Sequence, residues 1–161
     1  MRRTDPLTIP LLAAAMAATC AADSNNFSPE TLISLERAAL DRWGNGDPQG
    51  YLDTYAPNVT YFDQTREIRA DGLAAMKELF APIKGKIKID YYEMIGPKVQ
   101  HHGDVAVLSY NLVSHGKRPN GDALVVRWNS TEVYERIDGK WKIIHSHWSY
   151  TKPELKQTNP E

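Results

Sequence analysis

Cysteine is almost missing from these 161 residues: Cys20 stands alone, which excludes an intrachain disulfide and any cysteine-based zinc site. No apolar run reaches the ~20 residues a membrane helix needs. Charge of either sign is not in excess, because the formal net charge is only −1. Nothing in that balance selects nucleic acid or an anionic membrane as partner. There is no Gly-x-Ser-x-Gly elbow, no phosphate loop and no dinucleotide fingerprint, which leaves serine-nucleophile, nucleotide and dinucleotide chemistry without support. What remains is globular, with 42% hydrophobic and 24% charged residues, in a length suited to one domain.

Residues 1–26 are expected to stay outside the fold. Arg2 and Arg3, the run Leu11–Ala18 and the small residues after it outline a secretory signal peptide, with cleavage after Ala22. Asp5, Pro6 and Pro10 shorten the apolar core. A lipoprotein signal with Cys20 as anchor, or a disordered leader on a cytoplasmic chain, are the alternatives to a secreted or periplasmic protein. The domain is expected over residues 27–152, followed by a polar tail over 153–161.

Ser28-Pro29-Glu30 supplies a helix start, and Leu32, Leu35, Ala39, Leu40 and Trp43 recur at helical spacing up to Gly44-Asn45-Gly46. A short helix from Gln49 to Tyr55 is expected to end at Pro57, followed by a strand over Val59–Asp63. A third helix runs from Gly72 to Pro82, capped by Asp71. Alternation then predicts strands over Ile87–Tyr92 and Val105–Ser114, with Gly96-Pro97 as an interruption. Helices first and strands last imply an α+β domain.

The stretch from Ala123 to Tyr150 organises the rest. Asp138-Gly139 is the dipeptide of a two-residue type I′ hairpin. Uninterrupted pairing across that turn sets Tyr134 opposite Ile143, Glu132 opposite His145, Ser130 opposite His147 and Trp128 opposite Ser149, with Cβ atoms ~5 Å apart. One face would then hold Glu132, His145 and His147 among Trp128, Ser130, Tyr134 and Trp141. Val133, Ile144 and Trp148 would lie on the other. A carboxylate against an imidazole raises the imidazole pKa and fixes its tautomer, a dyad suited either to proton shuttling or to an ordinary cross-strand ion pair.

The order Trp43…Gly46-Asp47…Tyr51…Tyr55-Ala56-Pro57, then Tyr61-Phe62-Asp63, resembles the nuclear transport factor 2-like superfamily. The closing Val133-Tyr134…Asp138-Gly139-Lys140-Trp141-Lys142-Ile143-Ile144-His145-Ser146-His147-Trp148-Ser149 resembles its SnoaL-like branch, which includes the association domain of calcium/calmodulin-dependent protein kinase II. The resemblance implies a cone, in which a curved, antiparallel-rich sheet wraps a long N-terminal helix plus two shorter helices. It also implies a pocket at the open end, and a homodimer. Its enzymes are ketosteroid isomerase-like and polyketide cyclase-like and use no cofactor; its other members bind or assemble without catalysis.

The expected function is therefore binding of a small, largely apolar molecule, with isomerase-, cyclase- or dehydratase-type proton transfer next to a carbonyl as the enzymatic form. Glu132, His145 and His147 are the candidate catalytic residues. Trp43, Tyr55, Tyr61, Asp63, Tyr110, Trp128, Ser130 and Tyr134 are the candidate substrate contacts. His145-Ser146-His147 also has the spacing of a β-sheet metal site, but the relatives are mostly metal-free and no metal is assigned. The alternative is a non-catalytic binding or oligomerisation module, associating through Val133, Ile144 and Trp148. A pocket deep enough for a ligand, with Glu132 and His145 facing into it, favours the first reading, and a pocket filled by the chain's own side chains favours the second.

Overall fold

The structure is a computed structural model that describes residues 27–151. The leader with Cys20 and the polar tail lie outside those residues. In chain order the elements are α1 (Pro29–Gly44), α2 (Gln49–Thr54), β1 (Tyr55–Phe62), β2 (Ala70–Asp71), α3 (Gly72–Phe80), a 3-10 turn over Ala81–Ile83, β3 (Tyr91–His102), β4 (Val105–Lys117), β5 (Ala123–Ile137) and β6 (Lys140–Tyr150).

The strands form one curved sheet in the order β2-β1-β6-β5-β4-β3. Every neighbouring pair is antiparallel except β1 and β6, which run parallel. That arrangement follows from chain order. The helical connection from β1 to the later strands is long enough for a parallel return, whereas β3 to β6 follow one another through short turns. Helix α1 lies against β3 and α3 against β1, so the helices close one face of the sheet.

Helix α1 forms where its spacing predicts. Pro29 occupies the first turn, Glu30 favours the helix dipole there, and Leu32, Ile33, Glu36, Ala39 and Leu40 are the buried stripe. Ser28 stands at the N-cap position but makes no side-chain cap bond. The helix stops at Gly44 because Asn45 and Gly46 turn their N–H groups back onto Arg42 and Trp43.

Four boundaries depart from the sequence reading. Pro57 does not stop the chain before a strand: β1 already begins at Tyr55, and Pro57 lies within it, exposed, where its missing N–H is tolerated. Asp63 consequently falls just past the strand end. Asp71 sits at the N-cap of α3, yet its carboxylate pairs with Arg69 across the exposed surface instead of capping. Strand β3 starts at Tyr91 and runs through Gly96-Pro97, which form an irregularity between Ile95 and Lys98 and do not end the strand.

The core lies between the helices and the inner sheet face. Leu32, Leu40, Val59, Met76, Phe80, Leu108, Tyr134 and Ile143 form it together with Tyr51, Tyr55, Tyr61 and Tyr110. The inner face of β4 is the expected set Ala106, Leu108, Tyr110 and Leu112, all buried.

The hairpin turn is also as expected. Asp138 has φ 50° and Gly139 φ 75°, the two positive values that a type I′ turn requires. A Cβ at Gly139 would meet no atom within 4 Å, so a substitution there acts through backbone strain alone. Gly139→Val is expected to cost about 1–2 kcal/mol and lower Tm accordingly. An unchanged melting curve would contradict this turn.

Candidate functional site

Pairing between β5 and β6 begins as expected. Ile137 faces Lys140, Arg136 faces Trp141, Glu135 faces Lys142 and Tyr134 faces Ile143. A β-bulge then inserts Ile144, and the next pair is Val133 with His145. From there every partner is displaced by one: Glu132 faces Ser146, Ser130 faces Trp148, and Trp128 faces Tyr150.

Because side chains alternate between faces, one extra residue reverses the orientation of all that follow. The expected pairing of Glu132 with His145 is therefore corrected, as is that of Ser130 with His147. Ser146 and Trp148 turn inward and the two imidazoles turn out. The physical reason is visible in the side chains. The bulge buries a hydroxyl and an indole in the core, where unbulged pairing would have buried two imidazoles.

His145 lies half-buried on the outer face, its Nδ1 2.8 Å from Thr60 Oγ1. His147 is exposed beside Phe62. The pKa of His145 is lowered, by desolvation first and then by His147 and Arg69. That is opposite to the rise a neighbouring carboxylate would cause. Trp148 does not belong to the outer surface either: its ring meets Tyr110 and Trp128 edge-on, at 5.9 and 6.0 Å.

The inward side of the bulge reveals a group the sequence reading did not single out. Glu36, on α1, is wholly buried. Tyr51 and Tyr110 each donate an O–H to its Oε1 at 2.7 Å, and Tyr134 donates to Oε2 at 2.7 Å. These donors come from α2, β4 and β5, so one carboxylate ties together three elements. Burial pushes the Glu36 pKa up, and the three phenol hydrogen bonds oppose that rise. The pKa values of Tyr51, Tyr110 and Tyr134 are raised well above the ordinary phenol value, by burial and then by Glu36, so all three keep their protons.

Glu132 is equally buried and far less well served. Ser146 donates to its Oε1 at 2.9 Å and Ser130 approaches the same oxygen at 3.5 Å. Its Oε2 has no hydrogen-bond partner, the sole such buried side-chain atom among the described residues. The Trp148 indole N–H faces the carboxyl closely enough to favour its ionised form but does not reach hydrogen-bond geometry. Desolvation first, then the neighbouring Glu36, hold the Glu132 pKa well above the carboxylate range. Two carboxyls enclosed together cannot both ionise cheaply.

The other expected contacts divide around this pair. Tyr55, Tyr61, Tyr110, Ser130 and Tyr134 are buried on the inside. The Tyr61 pKa is raised by burial first, then by Asp63, with a smaller contribution from Glu132. Asp63 is partly exposed, its Oδ1 held by the N–H and hydroxyl of Thr65 at 2.7 and 2.6 Å. Trp128 is half-buried and donates to Ser114 Oγ at 3.1 Å. Trp43 packs edge-on against Tyr51 and Phe80, and so supports the chamber from behind.

Two surface clefts lie elsewhere. One, of about 320 Å³, is lined by Leu35, Asp53, Thr54, Lys140, Trp141 and Lys142. The other, of about 220 Å³, lies between α2 and the end of α3. Neither includes Glu36 or Glu132, both of which are fully buried, and His145 faces outward. The expected pocket with Glu132 and His145 facing into it is therefore corrected: side chains of the core cover the acid pair. Among the described residues no cluster of three or more His, Cys, Asp or Glu side chains is placed to hold a metal. No helix among them is long and apolar enough to cross a membrane.

The family model of the calcium/calmodulin-dependent protein kinase II association domain matches residues 29–152. The chain belongs to that family. No curated protein matches it. Among solved structures, this association-domain chain is similar to a protein of Parabacteroides distasonis provisionally named a ketosteroid isomerase, with 37% identity and a TM-score of 0.70 over 81% of this chain and 92% of that one. It shares its fold with the kinase hub of S. rosetta, at 24% identity and TM-score 0.64 over 78% and 99% of the two chains. The same holds for a Xanthomonas campestris protein provisionally assigned as an association domain, at 23% identity and TM-score 0.64 over 96% and 99%. The association-domain chain thus shares one fold with ketosteroid isomerase-like, nuclear transport factor 2-like and hub proteins.

The raised acids set a pH dependence. A carboxyl whose folded pKa exceeds its unfolded value binds more protons when folded, so its contribution to stability is complete below the unfolded pKa of ~4.3 and declines as pH rises through the folded value. Folding stability is expected to fall from mildly acidic toward alkaline pH, by up to about 1.4 kcal/mol per pH unit for each proton released, and Tm to fall with it. Glu132→Gln should flatten that decline. A decline as steep in the variant as in the wild type would place the responsible group elsewhere.

Proposed function

We propose that this domain binds a small, largely apolar carbonyl compound inside the cone and moves a proton next to its carbonyl. The observation that carries the reading is the Glu132 carboxyl, fully buried among core tyrosines with one oxygen left without a hydrogen-bond partner. A core built only for stability gains nothing from such a group, since an unpaired buried polar atom costs about 1–3 kcal/mol. A ligand carbonyl would give it a partner.

In this reading Glu132, kept neutral by burial, donates a hydrogen bond to the carbonyl oxygen. Asp63, partly exposed and held in position by Thr65, takes the proton from the adjacent carbon. The electron pair of the broken C–H bond moves to the oxygen as an enolate, and Asp63 returns the proton at another carbon to give the isomer. Tyr61, buried on the inner side against Phe80, is the second donor to the enolate. Tyr55, Tyr110, Trp128, Ser130 and Trp148 supply the apolar walls and rim. No cofactor is required. Because Glu132 is fully covered, entry requires Trp148 or Tyr61 to swing aside. Trp148 meets Trp128, which in turn meets the half-exposed Tyr150 at 4.7 Å, an aromatic route to the surface.

The reading includes a second copy of the chain as partner. Tyr91, Ile95 and Val125 are exposed on the outer face of the sheet, which suits homodimer contact there. Val133 and Ile144 remain on that side.

A β,γ-unsaturated cyclic ketone, followed by the absorbance of its conjugated product, tests the chemistry. Turnover by the wild type should fall by ~10²–10⁴ in Glu132→Gln and in Asp63→Asn. Undiminished turnover in Glu132→Gln would overturn the assignment. A Glu132→Leu variant that gains stability, from a wild type that neither binds nor turns over such ketones, would identify a non-catalytic module.

A further inference from the structure

The two buried carboxyls are held by unequal sets of donors, and that inequality decides which one carries charge. Both oxygens of Glu36 are engaged, by three phenols at 2.7 Å. A protonated Glu36 would have to turn one phenol round to accept its proton, and would forfeit the charge-assisted bonds to the others. Glu132 is in the opposite position. One hydroxyl reaches it at 2.9 Å, another only at 3.5 Å, and Oε2 has no hydrogen-bond partner, the Trp148 indole N–H falling short of bonding geometry. An ionised Glu132 would leave most of its lone pairs bare in a dry site, whereas a protonated one leaves a single O–H unpaired.

We infer that the pair holds one proton and one negative charge, the charge on Glu36 and the proton on Glu132, so that Glu36 is a positioning residue that keeps Glu132 a donor. The titratable and polar groups around Glu132 are Glu36 from α1, Tyr51 from α2, Tyr55 and Tyr61 from β1, Tyr110 from β4, Ser130 and Tyr134 from β5, and Ser146 and Trp148 from β6. None of these is a cation that could stabilise a second charge. Tyr110 links the two acids. It donates to Glu36, and its strand partner is Ser130, whose hydroxyl approaches Glu132. The use of Glu132 in catalysis rests on the reading given above; the division of charge does not.

Infrared spectroscopy of the full-length protein across pH separates the two claims, because a protonated carboxyl has its own carbonyl stretch. The wild type should show one buried protonated carboxyl at neutral pH. Glu132→Gln should abolish the band. In Glu36→Gln the band should remain, and its titration midpoint should move down by at least about one pH unit, because the neighbouring charge is gone. Tyr134→Phe, which changes no charge and little volume, should draw the proton partly toward Glu36, weakening the Glu132 band while a second carbonyl band from protonated Glu36 grows in its place; it decides the matter if Glu36→Gln does not fold. A wild type with no protonated carboxyl, a band that survives Glu132→Gln, or a midpoint unmoved in Glu36→Gln would each overturn the assignment. Bands that behave as described in a protein without isomerase activity would sink the catalytic reading and leave the charge assignment standing.

Discussion

Three phenol hydroxyls converging on one buried carboxylate hold this domain together at its centre. Glu36 is the point at which helix α1 is joined to α2, to β4 and to β5 by bonds that have direction as well as strength. Apolar packing of Leu32, Leu40, Leu108 and Ile143 supplies the bulk of the burial but tolerates small shifts. A carboxylate at 2.7 Å from three donors does not, and a half-satisfied version would cost more than an apolar core. The chamber beside it, with Glu132, Tyr55, Tyr61 and Trp148, is shaped by where that junction sets the helix.

The second constraint is the single extra residue at Ile144. It sends Ser146 and Trp148 inward and leaves His145 and His147 on the outer face. Ser146 then becomes the one close donor to Glu132, and Trp148 the cover over it. The pairing with β1 is irregular over the same span, but there the extra residues lie in β1, which runs from Tyr55 to Thr60 while β6 runs only from Ile143 to His145. A bulge placed beside a buried carboxyl aims a hydroxyl at it that regular pairing would have aimed away.

Much of this was legible in the residues. The helix spacing in 29–44, the alternation in β4 and the Asp138-Gly139 turn translate directly into the observed elements, because each rests on local chemistry. The chamber-lining tyrosines also emerge from strand parity up to Tyr134 and Ile143. Beyond the turn, the dyad of Glu132 with His145 failed because it assumed unbroken pairing. The signal against that assumption was present. Apolar residues hold odd positions at Trp141 and Ile143 and even positions at Trp148 and Tyr150, and only an extra residue between them keeps both sets on one face. Glu36 was hidden differently. It occupies the i+4 position between Leu32 and Leu40, inside an apolar stripe, and its partners are 15, 74 and 98 residues away. No local pattern reports such a convergence; only the closed sheet brings the phenols together.

The central claim is that burial and donor number give the two enclosed acids different protonation states. A crystal structure at atomic resolution, grown at neutral pH, measures this through the carbon–oxygen bond lengths of each carboxyl. The account predicts two equal bonds in Glu36 and two unequal ones in Glu132, the longer marking the protonated oxygen. Equal bonds in Glu132, or the inequality found in Glu36, would contradict it.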